Sequence, residues 1–157
     1  MMERMYQYKE SGLTNIYLTN GFTERMTSRG QTVHIEDLDG LHEAIGLWLA
    51  RDKKVLDGRE ARFLRLEMGL SQAALAMLLG KTDQSVARWE KKNISSEEGI
   101  PPESERMIRL LYLQSIGNHT PMKEFLQMLA DLEFMDQGDT AFAETDAGWE
   151  QKERQAA

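Results

Sequence analysis

At 157 residues and 18.0 kDa, with 41% hydrophobic and 29% charged residues, the chain has enough apolar mass for one ordinary domain or two small ones. No apolar run approaches the roughly 18 residues that span a bilayer, the opening "MMERMYQYKE" lacks a signal-peptide core, and the absence of cysteine excludes disulfides and thiolate metal sites; a cytoplasmic location is expected. The formal net charge of −7 is uneven, with −2 over residues 1–57, +1 over 58–115 and −6 over 116–157, so basic side chains can still gather on one face of the middle segment.

In chain order, the first signals are strand-like. "NIYLTNGFTERM" sets apolar residues around Asn20-Gly21, a dipeptide that tolerates positive φ and suits a type I′ hairpin turn. "SRG" makes a second turn, and "QTVHIED" alternates Val33 and Ile35 onto one face. This predicts a small antiparallel sheet over about 15–36. Leu41, Ile45, Trp48 and Leu49 then recur at helical spacing and predict a helix over about 39–52.

From Asp57 the pattern is helical. Asp57 and Glu60 fit a capping box for a helix through Met68, which Gly69 ends. Ser71 caps a second helix to Leu79, stopped by Gly80, and Thr82 caps a third to about Lys91. "NISSEEGIPP" is a turn-rich loop, and Pro102 suits the first position of a fourth helix carrying Met107, Leu110 and Leu111. Thr120-Pro121 opens a fifth, with Met122, Phe125, Leu126 and Leu129 in one stripe that serves as core or as a dimer contact. Past about Met135 the chain is acidic and poor in large apolar residues, which predicts a disordered tail over 136–157.

The helices over 71–91 have the layout of a pair that enters a DNA major groove. Ala74, Leu75, Ala76 and Leu79 give the bracing helix its inner face, Gly80 can take the left-handed conformation that redirects the chain, and Val86 pins the second helix from beneath. That leaves Asp83, Gln84, Ser85 and Arg88 outward. Arg88 can donate a bidentate pair to guanine, and Gln84 can do the same for adenine. Gln72, at the start of the bracing helix, is placed for a phosphate. Lys81, Lys91, Lys92 and Arg65 are further candidate phosphate contacts, although scattered basic residues are as often merely solvated. Asp83 either favours the helix N-terminus, the simpler role, or accepts from cytosine. Trp89, three residues after Val86, fits the core better than a stacking platform.

"LRLEMGLSQAALAMLLGKTDQSVARWEK" resembles the helix-turn-helix of the Cro-type, xenobiotic-response-element-like (XRE) regulators, which show Arg-x-x-x-Gly-Leu-Ser-Gln, Leu-Ala, Gly and Val-x-x-Trp-Glu in this order. The resemblance covers about residues 58–115 and implies a five-helix, all-α, lambda-repressor-like domain that binds DNA as a dimer. A small β-containing N-terminal region joined to such a domain is similar to the MqsA-type antitoxins, in which an Arg follows a polar base reader by four residues, as Arg88 follows Gln84. Those antitoxins also hold zinc through four cysteines. This chain has none, so zinc is not carried over.

Other chemistries find little support. "GKT" at 80–82 would need a glycine where Leu75 stands to form a phosphate loop. His34, His42 and His119 are too scattered for a metal site. No cofactor and no enzymatic activity are expected. The predicted fold class is α+β: an all-α helix-turn-helix domain of five helices over 57–135, preceded by a small antiparallel β plus one-helix domain over 1–56 and followed by the acidic tail. The expected function is a dimeric, DNA-binding transcriptional repressor. The alternative is an antitoxin whose N-terminal domain binds a toxin, with DNA binding for autoregulation.

Overall fold

The structure, a computed structural model, describes residues 4–91, 99–117 and 139–152. The chain divides into two compact units, one made of Met1–Ile45 with Gly138–Ala157 and the other of Gly46–Gln137. Among the described residues there are five α-helices and six strands.

The first unit contains β1 (Tyr6–Gln7), β2 (Ile16–Leu18), β3 (Phe22–Thr27), β4 (Gly30–Ile35), β5 (Thr140–Thr145) and β6 (Gly148–Lys152), together with the start of α1 (Leu38–Arg51). Strands β3 and β4 form the hairpin expected around Ser28 and Arg29, running from Phe22 paired with Ile35 to Thr27 paired with Gly30. The other four strands form a sheet in the order β1-β2-β5-β6. Strand β2 is paired along both edges, by β1 and β5, and its burial follows the strand period: Ile16 and Leu18 are fully buried while Tyr17, on the opposite face, is half-buried.

Several expectations need correction here. Asn20-Gly21 is not a hairpin turn, because β2 and β3 lie in different sheets. The Asn20 amide instead donates to the Glu144 carbonyl and accepts from the Glu144 N–H at 2.7 Å, and Gly21 takes φ 76°. The sheet is not purely antiparallel: β2 pairs with β5 in parallel, Ile16 facing Thr140 and Leu18 facing Phe142. Finally, 140–152 is not a disordered tail but a β-hairpin whose Ala141, Phe142 and Trp149 are buried. Trp149 Nε1 donates to the Glu36 and Asp37 carbonyls, both at 3.1 Å. Average acidity concealed a short buried run, Thr140 to Phe142, and the buried Trp149, while Asp146, Glu150 and Lys152 face water. The N-terminal domain is therefore completed by the C-terminal strands, and its division from the second unit falls at Ile45 rather than near 56.

The second unit holds the rest of α1 with α2 (Gly58–Glu67), α3 (Gln72–Leu79), α4 (Asp83–Lys91) and α5 (Pro102–Ser115). The capping box forms in full: Asp57 Oδ1 accepts from Glu60 N at 2.8 Å and Glu60 Oε1 accepts from Asp57 N at 2.9 Å. Pro102 occupies the first turn of α5. Leu49, Phe63, Leu64, Leu75, Val86, Ile108, Tyr112 and Leu113 make the core. Gly46 lets the Tyr112 ring lie directly on α1, where a Cβ would overlap the phenol. Arg109 is 1% exposed. It donates to the Leu49 carbonyl at 3.0 Å and the Lys54 carbonyl at 3.1 Å, and pairs with Glu105, so it satisfies backbone acceptors at and just past the end of α1. The helix predicted from Thr120 lies outside the described residues.

Candidate nucleic-acid interface

Local chemistry sets the α3-turn-α4 geometry. Ser71 Oγ accepts from Ala74 N at 3.0 Å and starts α3. Gly80, at φ 67° and ψ 31°, ends it in the left-handed conformation that a side chain would strain. Thr82 Oγ1 then accepts from Ser85 N at 3.2 Å and opens α4. Leu75 and Ala76 are buried, Ala74 and Leu79 are half-buried, and Val86 and Trp89 fix the underside of α4 at 1% and 7% exposure. Trp89 is thus a packing residue.

Gln84 and Arg88 are exposed and lie four residues apart, hence on one face of α4. Ser85, between them, is half-buried, and its Oγ accepts from Arg88 Nη2 at 3.2 Å. Asp83 is also exposed, and its Oδ1 accepts from Gln84 N at 3.0 Å, so the carboxylate serves the N-terminus of its own helix. Lys81 is partly exposed and approaches Glu103 at 3.8 Å, a solvent-screened pair that leaves the ammonium available. Lys91 is exposed. Lys92 lies outside the described residues.

Arg65 is not a phosphate contact. Its side chain is 8% exposed and forms a two-pronged pair with Glu90, Nε to Oε2 at 2.6 Å and Nη2 to Oε1 at 2.9 Å. Nη1 donates to the Leu70 carbonyl at 2.8 Å. Gln72 is half-buried and donates to Glu90 Oε1 at 3.1 Å, so it is oriented from within and only partly presented. The α2 periodicity allowed Arg65 to point either way; burial of Glu90 on α4 decides the matter. Glu90 was missed as a site-building residue. The signal for it was an acid directly following a core tryptophan, two helices on from an Arg of opposite charge.

Residues 62–98 match the helix-turn-helix family model. This segment is an XRE-type helix-turn-helix. Such a helix-turn-helix supports a DNA-binding transcription regulator. Neither the curated proteins nor the solved structures contain a match to the chain. No helix among the described residues is long and apolar enough to cross a membrane. Nor, among those residues, do three or more His, Asp or Glu side chains group so as to hold a metal ion.

Proposed function

We propose that the protein is a sequence-specific, dimeric repressor of the XRE type, acting in the cytoplasm, that inserts α4 into the major groove of a palindromic operator. Gln84 and Arg88 specify bases there, while Gln72, Lys81 and Lys91 hold phosphates. The observation that carries this reading is the division of α4: Val86 and Trp89 anchor one side in the core, and Gln84 and Arg88 stand exposed on another. A two-fold dimer meets successive major grooves when its α4 helices stand about 34 Å apart. The reading assigns no catalytic chemistry and no cofactor. Selection of bound sites from random duplex at fixed salt tests it. The intact chain is expected to enrich a two-fold symmetric sequence, and Gln84→Ala combined with Arg88→Ala to lose that preference. Unchanged preference in the double variant removes α4 as the reader.

A second reading is favoured by charge. Over Met1–Ile45 with Gly138–Ala157 the sequence holds 6 Lys/Arg and 12 Asp/Glu, a net −6, whereas Gly46–Gln137 holds 13 and 14, a net −1. An acidic unit joined to a helix-turn-helix suits an antitoxin that grips a small basic toxin and represses its own operon. Co-purification with a basic protein encoded next to it is the expected result. Its absence leaves the repressor reading alone.

A further inference from the structure

Three polar side chains on the outer strip of α4 are chemically linked. Thr82 Oγ1 accepts from the Ser85 backbone N–H at 3.2 Å and shares a hydroxyl–hydroxyl bond with Ser85 Oγ at 3.0 Å. Arg88 Nη2 donates to that same Ser85 Oγ at 3.2 Å. Positions 82, 85 and 88 repeat every three residues and so stack along one side of the helix. A serine hydroxyl has two lone pairs and one proton. Arg88 occupies one lone pair, and the hydroxyl–hydroxyl bond with Thr82 uses either the second lone pair or the Ser85 proton.

Arginine loses more rotamer freedom on docking than most side chains, so one already tethered has less to lose. We propose that Ser85 is a positioning residue for Arg88 rather than a separate base reader, and that Thr82 and Ser85 together set the guanidinium over one base pair. The inference rests on the reading of α4 as the DNA-contacting helix. It also narrows the base. Arg88 has donors only, so the tethered guanidinium presents donors to the groove. Guanine shows two acceptors there, N7 and O6, whereas adenine sets its N6 amino group against them. The tethered guanidinium therefore selects guanine.

Two measurements on the full-length chain test this. The first needs no DNA: nitrogen relaxation at Arg88 Nε is expected to report a more mobile side chain in Ser85→Ala than in wild type, with order restored by Ser85→Thr. Equal mobility in wild type and Ser85→Ala overturns the proposal. The second is site selection from random duplex. Arg88→Ala is expected to relax guanine preference at one position by about 5- to 150-fold. Ser85→Ala relaxes that same position by roughly two- to tenfold, and Ser85→Ala with Arg88→Ala is no worse than Arg88→Ala alone. Relaxation by Ser85→Ala at a different base pair makes Ser85 an independent reader and overturns the proposal. A wild-type chain that enriches no sequence at all refutes the DNA reading itself, and the role given to Ser85 with it, even if the relaxation contrast is present.

Discussion

Replacing Arg65 separates a structural cation from a DNA-contacting one. The Arg65–Glu90 pair is almost solvent-free, with side chains 8% and 5% exposed and two hydrogen bonds of 2.6 and 2.9 Å. Removing one partner of such a pair leaves the other charge buried, at about 3–5 kcal/mol. Arg65→Ala also strips the Leu70 carbonyl of its donor and leaves Gln72 as the one remaining hydrogen-bond donor to Glu90 among the described bonds. With a urea slope of about 2 kcal/mol/M, the unfolding midpoint should fall by roughly 1.5–2.5 M. Trp89, next to Glu90 and buried, gives a fluorescence readout of the unit that matters. The double replacement Arg65→Met with Glu90→Leu should recover most of that loss, since a well-packed apolar pair often matches a buried ionic one. If Arg65 instead met a phosphate, Arg65→Ala would leave the midpoint unchanged and make the slope of log affinity against log salt shallower by about one. That pair of results refutes the structural assignment.

Truncation after residue 138 removes β5 and β6 and exposes Ile16 and Leu18, so the first unit should lose its near-ultraviolet circular dichroism while Trp89 still reports a folded helix-turn-helix. Gly21→Ala should destabilise the first unit by about 1–3 kcal/mol in thermal unfolding, because φ is 76° and the new Cβ would lie 2.5 Å from the Trp149 ring. Burial raises the Asp52 carboxyl above its ordinary value of 3.8, while the nearby Arg51 and Arg109 pull it down. A raised folded-state value means the native chain binds this proton first, so its destabilising charge is present above the folded value and disappears as pH falls through it. Asp52→Asn should accordingly raise the thermal midpoint at neutral pH, with the gain shrinking on acidification; a constant difference across pH refutes this.

What the sequence disclosed was local. The Asp57–Glu60 box, the Ser71 cap and the Gly80 stop each involve groups within four residues, and the helices they bound appear where the spacing put them. The errors of topology were non-local. Asn20-Gly21 has the same local preferences whether the chain reverses or is passed to another sheet, and only Glu144, 124 residues away, distinguishes the two. Likewise, β5 and β6 look too acidic to fold until β2 supplies a partner for Phe142. The outward placement of Gln84 and Arg88 was legible because Val86 and Trp89 fix the helix phase. The fates of Ser85 and Arg65 were not, since side-chain partners do not follow from phase.

The distribution of charge leads to a last expectation about how such an acidic chain meets DNA. In the helical unit Arg65, Arg109 and Lys53 are buried and partnered inside the protein, which removes them from the field that DNA feels. Lys81 and Lys91 remain accessible beside the base-reading Arg88, and each phosphate these lysines neutralise contributes about −0.9 to the salt slope. Against them stands the net −6 of the strand-rich unit, whose repulsion acts through solvent over a Debye length of about 30 Å at 0.01 M salt and about 8 Å at 0.15 M. Binding to random duplex should therefore be weak and base contacts should carry a large share of operator affinity. Because truncation would remove two strands, the test is by point substitution: Asp146→Asn with Glu150→Gln, both at exposed positions of the β5–β6 hairpin, neutralises two charges without touching Phe142 or Trp149. Random-duplex affinity, followed by anisotropy, should rise at low salt and converge with wild type as salt increases, while the preferred sequence stays the same. Equal affinity at low salt would show that the acidic unit does not oppose DNA, and the weak non-specific binding expected here would then need another cause.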